Sequence, residues 1–326
     1  MPYTFRQITF DDLAAFYDLY RAEHIETYGS FAMSRDEVRA EWEAVGFDLE
    51  KMTQAAFTAE GEMAGFVELR YFRRPPVRSY LYGYVRPEHR NQGIGTQLLQ
   101  WGLENSSMLF PLVPVDARVV LQAFGNKAAD YQLLEDQGFN RTRQTLIMQI
   151  ELDQPMPPVA FPQGFQLLTL ADHPVLADFV RVIETCFEDH RGHVTEPLQS
   201  VVERWEKWIA DSDSYAPELF MLLREGDQDV GALLAWDQSD EDAEKAWVAS
   251  LGIMPAYRRR GFASLLLRHA FYVFQQRGKK RLGLNVDGSS LTGAHLLYQG
   301  VGMHVVQVYN AYEKEIRAGV ELTRQA

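Results

Sequence analysis

One motif occurs twice in this chain, and that repetition limits its folds more than any other feature. Val85-Arg86-Pro87-Glu88-His89-Arg90-Asn91-Gln92-Gly93-Ile94-Gly95 has a counterpart in Ile253-Met254-Pro255-Ala256-Tyr257-Arg258-Arg259-Arg260-Gly261-Phe262-Ala263. Proline, arginine, glycine and a small residue recur at one constant offset. Each copy follows an apolar strand-like run and precedes an apolar helical run, Leu98-Leu99-Trp101-Leu103 in one and Leu265-Leu266-Leu267-Ala270-Phe271 in the other. A supersecondary unit used twice implies two domains, and 326 residues suffice for two cores.

The seam falls in Leu152–Gly164, which carries Pro155, Pro157, Pro158 and Pro162. Proline fixes φ and removes a donor, so this stretch is expected to be extended and semi-rigid. The expected division is 1–152, a linker 153–164, and 165–326. Periodicity gives both halves the same element order. The first reads strand Tyr3–Ile8, helices Asp11–His24 and Ser34–Val45, then strands Ala55–Ala59, Met63–Phe72 and Arg78–Val85. A glycine turn and helix follow, then strand Arg118–Ala123, helix Ala128–Gln137 and strand Thr142–Ile150. The second reads strand Phe165–Leu170, helices Pro174–Glu188 and Glu196–Ala210 (Thr195 as cap, Pro197 in the first turn), and strands Leu219–Arg224, Asp229–Trp236 and Ala246–Ile253. A helix to Gln276, strand Arg281–Val286, a helix near Thr292–Gln299 and strand Val305–Glu313 complete it. The class is α/β (α+β), a mixed sheet flanked by helices, twice over.

Bulk properties remove several functions. A net charge of −13 disfavours nucleic acid as a partner. No run is long and apolar enough for a membrane span, and the N-terminus lacks the layout of a signal peptide. The single cysteine, Cys186, excludes an intramolecular disulfide framework and a cysteine-rich metal site. A cytoplasmic location is expected. Cys186 lies among Val182, Ile183 and Phe187 and reads as a small buried side chain.

A strand that ends in a glycine bend and enters a helix is built for an anion, because the first helical N–H groups lack internal partners. A Walker A loop needs Gly-Lys-Ser/Thr, which is absent. A Rossmann fingerprint needs a third glycine, where Leu98 stands. Arg90-Asn91-Gln92-Gly93-Ile94-Gly95 and Arg258-Arg259-Arg260-Gly261-Phe262-Ala263 resemble instead the pyrophosphate loop of the GNAT acetyltransferase superfamily. Leu297-Tyr298-Gln299-Gly300-Val301-Gly302-Met303 is similar to its Leu-Tyr…Gly-Phe segment. In the first half, Leu133-Leu134 through Gly138-Phe139 keeps Gly-Phe but has Leu134 in place of tyrosine. The tandem layout resembles that of mycothiol-synthase-like proteins, with 287–294 as a weaker point of likeness.

That resemblance implies acetyl-CoA as acyl donor, a small amine as acceptor, no metal, and chemistry in the second half. It implies a cofactor site at Val85, Arg90, Asn91, Gln92, Gly93, Ile94, Gly95 and Thr96 in one half. In the other the site comprises Leu251, Ile253, Arg258, Arg259, Arg260, Gly261, Phe262, Ala263 and Ser264, with the three arginines available to neutralise phosphates. Tyr298 is the candidate acid for the leaving thiolate, a main-chain N–H at Leu251 or Ile253 the oxyanion donor, and Ser250 a residue that orders water. No carboxylate lies on Ala246–Ile253, and Glu244 lies just upstream. His190, His193 and Trp247 are candidate acceptor contacts. A CoA-binding sensor without turnover, and transfer of another acyl group, remain as alternatives; the acceptor and the oligomeric state stay open.

Overall fold

The structure is a computed structural model and describes residues 3–44, 46–190, 193–288 and 293–323. The chain begins with β1 (Thr4–Arg6), α1 (Leu13–Tyr28) and α2 (Arg35–Trp42). Gly29 ends α1 in the left-handed conformation at φ +82°. Ser34 caps α2 in a capping box: its hydroxyl accepts from the Glu37 N–H at 3.2 Å, and the Glu37 carboxylate accepts from the Ser34 N–H at 2.8 Å. A one-turn α3 (Leu49–Met52), not expected from periodicity, leads to β2 (Thr53–Phe57). Then come β3 (Met63–Arg70), β4 (Arg78–Val85), α4 (Ile94–Asn105), β5 (Val119–Gly125), α5 (Ala128–Asp136) and β6 (Asn140–Glu151). The order repeats as β7 (Phe165–Thr169), α6 (Leu176–Phe187), α7 (Leu198–Ala210), β8 (Phe220–Glu225), β9 (Gln228–Trp236) and β10 (Lys245–Ile253). It closes with α8 (Phe262–Gln276), β11 (Arg281–Asp287), α9 (Ala294–Gly300) and β12 (His304–Arg317).

These elements reproduce the expected order, with two local corrections. Pro197, not Thr195, is the residue flanking α7 at its N-terminus; Pro197 has no N–H to leave unsatisfied there and sits at ψ 131°, outside the helix. The expected helix near Thr292–Gln299 is seen from Ala294. Thr292, with Ser289, Ser290 and Leu291 of the 287–294 segment, lies outside the described residues, as do Val45, Arg191 and Gly192.

The two compact units depart from the expected division at 152/165. One unit comprises residues up to Arg143 together with Tyr309–Thr323; the other runs from Gln144 to Val308. The sheet of the first reads β1-β2-β3-β4-β5-β12, and that of the second β6-β11-β10-β9-β8-β7. β12 lies antiparallel on β5, Asn310 opposite Gly125 and Glu315 opposite Val120. β6 lies antiparallel on β11, Thr145 opposite Asp287 and Glu151 opposite Arg281. The last strand of each sequence half thus completes the sheet of the other unit. Side chains fix the assignment: Tyr312 packs with Leu121, Ala123 and Leu134, whereas Met148 and Ile150 pack with Leu282 and Leu284. The proline stretch is held as well. Gln275 donates to the carbonyls of Leu152 and Gln154 at 2.8 and 2.6 Å and accepts from the Met156 N–H at 2.8 Å.

Each sheet is covered on both faces. In the first unit, α4 packs Ile94, Leu98 and Leu99 on Val67, Leu81 and Leu121, and α1 with α2 packs Phe16, Leu19, Val38 and Trp42 on the opposite face at Ala55 and Phe66. In the second, α8 supplies Leu266, Leu267 and Phe271 on one side, and α6 with α7 supplies Phe179, Ile183 and Trp205 on the other.

Candidate active site

The parallel strand pairs part midway. β4 pairs with β5 from Arg78↔Val120 to Leu81↔Ala123, yet β4 continues to Val85. β10 pairs with β11 from Lys245↔Arg281 to Val248↔Leu284, yet β10 continues to Ile253. Beyond those points the facing backbone edges have no ladder partner among the described residues. Unpaired amides demand hydrogen bonds, and an extended amide-bearing chain can supply them by adding to the edge. The halves differ in one respect. The β10–β9 register shifts between Val248 and Ser250, leaving Ala249 outside the pairing as a bulge. The β3–β4 register runs without a shift.

Both strands lead into the glycine bends. Pro87 and Pro255 each open a short 3-10 turn. Asn91 and Gly93 then take φ +59° and +81°, and Arg259 and Gly261 take +64° and +84°. Gly93 and Gly261 are the N-caps of α4 and α8, and a methyl placed on either would meet nothing within 4 Å. The first helical bonds are Gln97 N–H to Gly93 and Leu265 N–H to Gly261, each 3.1 Å. The N–H groups of Ile94, Gly95 and Thr96, and of Phe262, Ala263 and Ser264, therefore precede any intrahelical bond and suit a diphosphate. Buried Ile94 and Phe262 side chains anchor the two helix starts.

The motif arginines divide in role. Arg258 was expected to face phosphate, but its guanidinium turns inward. Its Nε donates to the Ile253 carbonyl at 3.2 Å, Nη2 to the Cys186 carbonyl at 2.9 Å, and Nη1 to Asp189 at 2.5 Å. Arg90 does the same with the Val85 carbonyl at 3.2 Å, Glu26 at 2.7 Å and Glu23 at 3.0 Å. A carboxylate partner in each half claims the charge, so these arginines brace the bend. Arg259 and Arg260 are exposed, with Arg260 over the rings of Tyr257 and Phe262 at 5.1 Å. Neither has a carboxylate partner among the described residues.

Tyr298 is buried on α9 within the α8-side core, and burial pushes its phenol up to about 12. Its counterpart Leu134 is buried too. The following turns match: Met303 N–H to Tyr298 and Phe139 N–H to Leu134, both 3.0 Å. On β10, Trp247 and Ser250 lie opposite Trp236 and Leu234, which belong to the α6/α7 side. A Cβ on Gly283 would come within 2.8 Å of the Trp247 ring, so glycine there makes room for the indole. A Cβ on Gly252 would strike Cys186 at 2.6 Å. Burial pushes the Cys186 thiol up to about 12, which leaves it unreactive. His190 and His193 are both half-buried, and the His190 ring lies tilted at 60° against Phe187, 4.5 Å between centroids. Glu244 is exposed, 3.8 Å from Arg281. Glu62, Glu88 and His89 are grouped closely enough to hold a cation, but Glu62 already pairs with Arg86 at 3.2 Å.

Sequence reasoning missed the bulge at Ala249 and the inward arginines. The first depends on pairing register, which a single strand does not encode. The second has a signal: each half has a carboxylate, Glu26 or Asp189, in the last turn or just past the end of its first long helix.

Two open bends, each beside a pair of parted strands on an α/β scaffold, define a nucleotide-thioester acyltransferase fold used twice. The chain belongs to the GNAT acetyltransferase family: the description "Acetyltransferase (GNAT) family" matches residues 13–106 and 177–303. The family implies acetyl-CoA as donor. A mycothiol acetyltransferase of Corynebacterium glutamicum is 27% identical over 71% of this chain and 73% of its own length. A GCN5-related N-acetyltransferase from Sphaerobacter thermophilus is 33% identical, covers 98% of both chains and superposes with a TM-score of 0.78. A tandem GNAT protein from the clavulanic acid biosynthesis pathway shares the fold at TM-score 0.70 and 12% identity, over 98% of this chain and all of its own. Among the described residues, no helix is long and apolar enough to cross a membrane.

Proposed function

We propose that this protein moves an acetyl group from acetyl-CoA to a small amine, with the chemistry in the second half. The observation that carries this reading is the buried Tyr298 side chain on α9 where the first half has Leu134. Only the second half adds to it a bulged strand beside the split.

The diphosphate rests on the N–H groups after Gly261, with Arg259 and Arg260 alongside. The thioester arm pairs with the free edge of β10. As the amine attacks, the carbonyl oxygen gains charge and accepts from a main-chain N–H at Leu251 or Ile253. The C–S bond breaks, and Tyr298 delivers its proton to sulfur. A phenol raised to about 12 stays protonated at neutral pH, as a proton donor must. The ammonium proton leaves through water ordered by Ser250 to His190 or His193. Arg258 links the bend to Asp189, so the loop that bears His190 is tied to the donor site. Trp247 forms part of the acceptor wall. The relatives named mycothiol acetyltransferase favour a small-molecule acceptor over a protein.

A second reading, a CoA-binding sensor, is favoured by one observation: β10 carries no carboxylate on the acceptor side. Transfer of labelled acetyl from acetyl-CoA to a panel of small amines decides between them. Turnover that collapses in Tyr298→Phe supports the enzyme; CoA binding without transfer to any amine supports the sensor.

A further inference from the structure

We infer that the first half carries an ionic strap across the mouth of its split, made by Glu23, Glu26, Arg90 and Lys127, which must open before coenzyme A enters there. This rests on reading the glycine bends as diphosphate sites. Arg90 lies just past the end of β4 and is fastened to it through the Val85 carbonyl. Lys127 lies just past the end of β5, its backbone N–H held by the Asp130 carboxylate at 3.1 Å. Glu23 and Glu26, in the last two turns of α1, bind both. Lys127 Nζ stands 3.4 Å from Glu23 and 3.1 Å from Glu26, and Arg90 reaches the same two carboxylates. The two strand ends that part after Leu81 and Ala123 are thereby joined through one helix.

Among the described residues, the second half shows no such strap. Arg258 is tied to Asp189 and the Cys186 carbonyl, both on the α6 side. From Leu282 to Glu313 the sequence holds no lysine or arginine, so the β11 strand end and the segment after it supply no counterpart of Lys127. An arriving diphosphate in the first half meets two carboxylates that already hold the nearest cations. In the second, Arg259 and Arg260 beside the bend have no carboxylate partner among the described residues.

The test reads coenzyme A binding by calorimetry in a Gly261→Asp background, where only the first half remains; aspartate tolerates the left-handed bend better than most side chains. The strap predicts that Glu26→Gln and Lys127→Met each raise first-half affinity, by roughly 2–10-fold for the loss of partly exposed pairs. Simple charge predicts opposite signs, since Lys127→Met removes a cation. A gain in Glu26→Gln with a loss in Lys127→Met overturns the strap, as does no change in either. Adding Gly93→Asp to the Lys127→Met variant must abolish the gain. If the protein with both bends intact binds no coenzyme A at all, the bend reading itself fails, which is a separate result.

Discussion

Arg90 and Arg258 make one bond in common: each Nε donates to the carbonyl five residues upstream, Val85 or Ile253, at 3.2 Å. The shared bond fixes the bend to its strand. The unshared ones tie it to a different helix end in each half.

Arg258→Ala should loosen the second bend. Four hydrogen bonds are lost, two of them to neutral carbonyls and two to one half-exposed carboxylate. A stability loss of about 1–2 kcal/mol is expected, with a raised KM for acetyl-CoA. Arg258→Lys should recover only part of this, because one ammonium cannot span the three acceptors. Thermal melts and steady-state kinetics check both.

Tyr298→Phe should lower kcat by on the order of 100-fold while coenzyme A affinity holds. Stability should change little, since the hydroxyl has no protein hydrogen-bond partner among the described residues. The pH profile carries a second signature. With the phenol at about 12, kcat should stay level from ~pH 8 to ~pH 10, where an ordinary tyrosine would already lose its proton. A fall centred near pH 10 removes Tyr298 from the mechanism.

Gly283→Val should act on the acceptor. The added Cβ alone meets the Trp247 ring and the Lys245 stem within 3 Å, so the indole must move. The expected outcome is a raised acceptor KM with acetyl-CoA KM unchanged, read from initial rates with each substrate varied. A change confined to acetyl-CoA would place Trp247 elsewhere.

Acid should weaken the first half through Glu26. Hydrogen bonding to Arg90, aided by Lys127, lowers its carboxyl from 4.5 to about 2. A depressed carboxyl contributes stability above its unfolded value and loses it as pH falls toward the folded one. The Glu26 share should therefore disappear between pH 4.5 and about 2, and Glu26→Gln should flatten that stretch of the melting-temperature curve.

Much of this was legible in the sequence. The repeat, the glycine bends and the element order follow from local spacing, and Arg78–Val85 matches its expected strand residue for residue. Partnership was not legible. Leu146, Met148 and Ile150 alternate as a half-buried strand does, and that pattern reads the same whichever sheet receives it. The domain ends therefore fell at the prolines in the sequence reading, whereas pairing moves them to Arg143 and Tyr309. The role of Arg258 escaped for a like reason: an arginine before a glycine bend looks equally fit for a phosphate and for a carboxylate 69 residues away.

The exchanged last strands bear on synthesis. When a ribosome has released the chain as far as α5, β5 is still a bare edge, because its neighbour β12 has yet to be translated. At ~5–20 residues per second that edge waits on the order of ten seconds or more, presenting unmatched peptide groups to any strand nearby. A nascent protein of this design needs shelter for its leading half, and a messenger truncated after the proline stretch would yield a product prone to clump.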